Sequence, residues 1–174
     1  MKKILGYLLA SALAVVSSYS VAQSSPPNDA QIAAIVVAAN TVDINGGKLA
    51  KSKATDKEVK AFAQRMVTDH TGVNKEATAL VGKLHVKPQE SDTSKSLKDE
   101  GAKTLAHLKT LKGAAFDKAY IDNEVTYHEQ VLDAIDKTLL PNAKNEQLKA
   151  LLTKYRPVFE EHLEHAKQIQ SAMK

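Results

Sequence analysis

From Ala30 onward, apolar side chains recur at spacings of three and four in five runs, parted by short polar, glycine-bearing or proline-bearing stretches. That period is the period of an α-helix. The first run, about Ala30 to Lys53, puts Ile32, Ile35, Val36, Ala39, Val42 and Leu49 on one stripe. The second opens at a Thr55-x-x-Glu58 capping box, carries Val59, Phe62, Met66, Val73, Ala77, Leu80 and Leu84, and ends near His85, before Pro88. A weaker third run, Ser94 to Leu111, has Leu97, Leu105, Leu108 and Leu111 on one side and is ended by Gly113. The fourth, Phe116 to Leu139, aligns Phe116, Tyr120, Tyr127, Val131, Ala134 and Ile135 and stops at Pro141-Asn142. The last, Asn145 to about Met173, aligns Leu148, Leu151, Leu152, Tyr155, Phe159, Ala166 and Ile169. Pro157 lies inside it, which predicts a kink and a freed Thr153 carbonyl. Gly46-Gly47 interrupts the first helix at about 1 kcal/mol per glycine relative to alanine, which predicts close contact with a neighbouring helix. No strand-like alternation occurs, so the fold class is all-α.

The third run is about 25 Å long as a helix, enough to carry the chain from one end of a bundle to the other. Two antiparallel hairpins joined by such a crossover give a ferritin-like four-helix bundle with an additional crossover helix, in which the second and fourth helices run parallel. In that arrangement the apolar stripes are broken by ionisable groups. Glu124 and His128 sit mid-stripe on the fourth helix, His70 fills a gap on the second, His162 is central on the last, and Asp43 lies near the centre line of the first. Counted from a common end, His70 and His128 are level, with Asp43, Glu124 and His162 about four residues, or roughly 6 Å, away. Asp69 lies at the edge of its stripe.

A polar group facing a core must be satisfied, because leaving it unpaired costs about 1–3 kcal/mol. Three imidazoles with one or two carboxylates suit a single divalent metal such as zinc or iron, with copper and nickel less discriminated. The candidate ligands are His70, Glu124, His128 and His162, with Asp43 as a fifth. A di-iron centre requires Glu-x-x-His on two helices. Here Val67 stands three before His70, Phe159 stands three before His162, and Glu124 precedes His128 by four. Two readings without metal compete: a layer in which each imidazole donates to a neighbouring carboxylate and fixes helix register, and a small apolar or amphipathic ligand held between helices. His85 and His107 read as solvated, His165 as a rim residue, Tyr120, Tyr127 and Met66 as packing residues. No nucleophile-base arrangement or phosphate loop stands out, so no reaction is assigned.

Ahead of the helices, the basic start Met1-Lys2-Lys3, an apolar run from Ile4 to Val16 and Ser20-Val21-Ala22 before Gln23 form a secretory signal-peptide pattern. Residues 1–22 are expected to be removed, leaving residues 23–28 as a flexible tail and 29–174 as one helical domain exported to the periplasm. Without the signal no membrane span is expected. The chain has no cysteine, hence no disulfide or lipid-anchoring thiol. The formal charge of +4 falls to +2 once Lys2 and Lys3 are gone, and no basic block is interleaved with aromatics, which excludes nucleic acid as an expected partner.

The blocks AFAQRMVTDH, GAAFDKAYIDNEVTYH and the closing HLEHA resemble the exported bacterial ferritin-like family known as domain of unknown function four-one-four-two, often labelled an outer-membrane protein. The resemblance covers nearly all of the chain after the signal. It implies a ferritin-like bundle and export, but no reaction. The expectation is therefore a periplasmic protein that binds a divalent metal or handles it under stress. The alternative is a non-catalytic structural or interaction protein of the cell envelope.

Overall fold

Five long helices form where the apolar spacing places them. The computed structural model describes residues 25–173; the expected signal peptide, Gln23 at its cleavage point and Lys174 lie outside the described residues. In chain order the elements are α1 (Asp29–Lys53), α2 (Lys57–Lys83), α3 (Asp92–Thr110), α4 (Gly113–Ala134), a π-helical turn (Ile135–Leu139), the short α5 (Leu140–Asn142) and α6 (Glu146–Ala172). No strand occurs among the described residues.

The helix starts follow from side-chain caps. Asn28 and Gln31 form a reciprocal capping box on α1, Ser91 and Ser94 another on α3, and Asn145 accepts from the amides of Gln147 and Leu148 at α6. The expected Thr55-Glu58 box on α2 is not formed. Asp56 is the cap, accepting from the Glu58 and Val59 amides. Thr55 is instead engaged by Asp117 of α4, whose carboxylate accepts from the Thr55 amide at 3.0 Å, the Thr55 hydroxyl, and the Asp56 amide at 2.9 Å. Nor does Gly113 close the third helix. α3 stops at Thr110, Leu111 is extended, and Gly113 opens α4 with φ +56°, a left-handed value that glycine adopts without a Cβ clash.

Hydrogen bonds between termini define the topology. The Asp117 contacts place the starts of α2 and α4 at one end, so these two helices run parallel. At the same end the Lys53 ammonium donates to the Leu108 and Lys109 carbonyls, bringing the ends of α1 and α3 together. At the opposite end Asp29 accepts from the Lys144 and Asn145 amides, and the Gln89 amide donates to the Ala30 carbonyl. Thus α1, α3 and α6 share a direction opposite to α2 and α4. α3 is the lengthwise crossover between two antiparallel hairpins.

Close approach of α1 to its neighbours uses its glycine. A Cβ on Gly47 would stand 3.0 Å from the Ala63 carbonyl oxygen and 3.0 Å from Val67 Cγ2, so α1 and α2 touch backbone to backbone there, as the Gly46-Gly47 interruption predicts. The core continues through Ile32, Phe62, Met66, Phe116, Tyr120 and Ile121, all fully buried. Phe116 stacks on Tyr120, and Phe62 meets Tyr120 edge-on at the same 6.3 Å centroid separation.

α6 stays α-helical through Pro157, whose ring lies on the exposed side. The irregular turn falls in the fourth helix. Pro141 has no amide hydrogen to donate to Lys137 four residues back, and the turn before it adopts π geometry, with the Leu140 amide donating to the Ile135 carbonyl.

Candidate metal centre

The stripe spacing of α2, α4 and α6 turns His70, His128 and His162 inward at one level, where they are 2, 0 and 0 % exposed. Their rings form a nearly equilateral triangle, with centroids 5.6 Å apart for His70 and His128, 5.2 Å for His70 and His162, and 5.4 Å for His128 and His162. Phe159 stacks flat on His70 at 5.2 Å and closes one side. Each ring is oriented by one nitrogen. His70 Nδ1 meets Asn40 Oδ1 at 2.7 Å, and since the Asn40 amide nitrogen donates to the Val36 carbonyl, its oxygen is the acceptor. His128 Nδ1 donates to the Glu124 carbonyl at 3.0 Å, and His162 Nε2 donates to the Asp69 carboxylate at 2.9 Å.

These acceptors determine the tautomers. With a hydrogen on His70 Nδ1, His128 Nδ1 and His162 Nε2, the other nitrogen of each neutral ring carries a lone pair. His70 Nε2, His128 Nε2 and His162 Nδ1 have no hydrogen-bond partner within the protein. One ligand atom from each of the three side chains lies within 4.8 Å of the other two. In a tetrahedral zinc site nitrogen ligands stand roughly 3.3 Å apart, so small χ rotations would draw these rings onto an ion. The protonation state suits that role: burial holds all three imidazoles down at about 4, leaving them neutral at neutral pH.

Beside the triangle lies a carboxyl pair. Asp43 from α1 and Glu124 from α4 are 3 and 2 % exposed and, with His128, form a second group of ligand atoms within 4.8 Å. Asp43 Oδ2 stands 3.5 Å from His70 Nε2, and Glu124 Oε2 stands 3.6 Å from His128 Nδ1. Burial pushes Glu124 well above the usual carboxylate range, and the adjacent Asp43 charge pushes it further. Asp43 is raised too, by burial, against the lowering effect of His128. Two buried carboxyls side by side cannot both ionise cheaply, and Glu124 is the one that keeps the proton. The Tyr120 hydroxyl sits beside Glu124 without reaching hydrogen-bonding geometry, and the Tyr127 hydroxyl donates to the Ala39 carbonyl at 3.0 Å.

All five residues singled out from the sequence converge. One height differs: His162 is level with His70 and His128 rather than one turn away with Asp43 and Glu124. Helix ends need not be flush, and side-chain packing sets the register of α6 against α2 and α4. His85 and His107 are exposed, and His165 is half-buried with its ring edge-on to Phe62 at 5.4 Å. The orienting residues Asn40 and Asp69 escape a search for ligands alone. Asn40 is nonetheless visible as a polar residue one turn before Asp43 on the α1 stripe. Asp69 is visible as the partner of Arg65 at a spacing of four, a pair that forms at 3.2 Å.

The family model described as Domain of unknown function (DUF4142) matches residues 15–169, and the chain belongs to that family. No curated protein and no solved structure matches the chain.

Proposed function

We propose that this DUF4142 member holds one divalent metal ion at the level where α2, α4 and α6 meet, with His70, His128 and His162 as ligands. Asp43 or Glu124 supplies an oxygen on the open side. The observation that carries this reading is a buried layer of three imidazoles, each anchored through one nitrogen and bare at the other, that bring a ring nitrogen apiece within 4.8 Å of one another. Metal-binding histidines are oriented in this way, by an acceptor on the far nitrogen. Neutral rings need no proton removed before they bind, whereas Glu124 would release its proton to become a ligand. Zinc is the first candidate, because three nitrogens and an oxygen in a site without imposed geometry match its preference; iron, copper and nickel share the donor type. The proposed role is confined to holding or handling the metal, and no reaction is assigned to the layer. The signal-peptide pattern supports a periplasmic setting for that role, with metal handling under stress as its proposed use. Among the described residues no helix is long and apolar enough to cross a membrane.

The register reading keeps one supporting observation. The His70–Asn40 and His162–Asp69 hydrogen bonds join α2 to α1 and α6 to α2. The two readings part on metal content and melting temperature of untagged protein purified without chelator. A metal at a hundredfold over its Kd adds about 2.7 kcal/mol. For a domain of this size that is a rise in Tm of about 5–10 °C. The metal reading expects one equivalent per chain and a rise of that size with zinc, both abolished in His128→Ala. Protein that is empty and indifferent to zinc, iron, copper and manganese leaves the layer as a register device.

A further inference from the structure

Between α1, α3, α4 and α6 the bundle contains a cavity of about 330 Å³ that ends on the polar layer. Its walls are apolar, chiefly Ile35, Val131, Ile135, Leu151, Leu152 and Phe159. Thr93, Gln130 and Thr138 line it as well and are exposed, so they mark its mouth. Asn40, Asp43 and His70 line it and are buried, so they mark its floor. The π-helical turn contributes Ile135, Thr138 and Leu139, so the distorted end of the fourth helix forms part of the wall. Wide turns of this kind recur beside ligand sites.

The floor has a definite hydrogen-bonding sense. The Asn40 amide nitrogen is committed to Val36, and its oxygen already accepts from His70. What is left without a partner within the protein is Asp43 Oδ1 and His70 Nε2, both closed off from water, so a ligand head meets them where the two side chains turn toward the cavity. Both are acceptors. A molecule reaching this floor must donate a hydrogen bond, and one ending in a carboxylate or phosphate would set lone pair against lone pair next to an acidic side chain.

We propose that this cavity is a binding site for a small amphiphile with an apolar body of about ten carbons and a hydroxyl or amine head, the head donating to Asp43 and His70. An apolar cavity of about 150 Å³ takes a benzene ring, so twice that volume takes roughly ten to twelve heavy atoms. The size also falls at the lower end of the range of small-molecule sites. The proposal goes beyond the metal reading and stands without it, because the metal-free floor offers both acceptors, and with His70 Nε2 on an ion Asp43 Oδ1 is the one that remains.

The test is isothermal titration of chelator-treated full-length protein with 1-decanol, decylamine and decanoate below their micellar concentrations. The expected result is one molecule of alcohol or amine per chain and at least tenfold weaker binding of decanoate. Ala134→Phe, which puts a ring into the cavity wall six residues beyond His128 on the fourth helix, should abolish decanol binding and leave zinc binding unchanged, which separates this inference from the metal reading. Asp43→Asn should narrow the gap between decanol and decanoate to less than threefold. Decanoate binding as tightly as the other two, or no binding of any of the three, overturns the proposal, and the head-group series on the unaltered protein decides it even where a variant fails to fold.

Discussion

Two buried acidic side chains on α4 lie two turns apart and are treated in opposite ways. Asp117, 3 % exposed, accepts from two backbone amides and a hydroxyl across the α1–α2 turn, so burial costs it little and it clamps three segments together. Glu124, 2 % exposed, leaves Oε2 without a protein donor, faces a second carboxyl in Asp43, and lies beside His128, one of three clustered imidazoles that each keep a bare nitrogen. The same chain saturates a buried acid where the need is only structural. Where it leaves donors and acceptors open in one place, the desolvation penalty has to be offset by something the layer receives.

The comparison breaks most visibly if the clamp is removed. Asp117→Ala strips acceptors from the Thr55 and Asp56 amides and the Thr55 hydroxyl, and should cost about 3 kcal/mol or more of stability in a denaturant titration. Zinc affinity should stay within threefold of the parent. A fall in affinity as large as that of His128→Ala would show that the two regions are not separate. An intermediate effect belongs to Asp69→Asn, which keeps an acceptor for His162 Nε2 but loses the charge. Calorimetry should show zinc affinity about tenfold lower, the size typical of an orienting partner. Unchanged affinity would remove His162 from the ligand set.

The smallest effect lies in the pH dependence of the metal-free protein. The imidazoles sit at about 4 in the fold against an ordinary 6.5, so on acidification the unfolded chain takes up protons first. Their contribution to stability is therefore lost as pH falls from about 6.5 toward 4. Glu124, raised in the fold, works in the other direction: its contribution is fully present below the ordinary carboxylate value and is lost as pH rises from there to its raised value in the fold. The two trends partly cancel in the parent. Glu124→Gln should remove the opposing one, so that Tm drops more steeply between pH 6.5 and 4.5. Matching slopes would mean that Glu124 does not hold the proton.

Much of this molecule is legible along the chain because a helix projects its sequence onto faces with a fixed period. The five helices, the crossover role of α3, the close contact at Gly47 and the inward placement of Asp43, His70, Glu124, His128 and His162 all follow from spacing. A residue that belongs on the core stripe and is not apolar declares itself without any tertiary information. Cap identity at Asp56, the opening of α4 at Gly113 and the π turn before Pro141 were less accessible, since each depends on a competition among neighbouring donors and acceptors. Thr55 leaves its expected capping role because Asp117, more than sixty residues away, binds it more completely.

Only the folded packing decided the level of His162, the anchoring of each ring through Asn40, Asp69 and the Glu124 carbonyl, and the cavity that reaches Asp43 and His70. Periodicity is a property of one helix, so one sequence suffices to read it. The axial register of one helix against another, and hence which nitrogen of a histidine stays free, is set by interdigitated side chains from separate helices, which no single stretch of sequence contains.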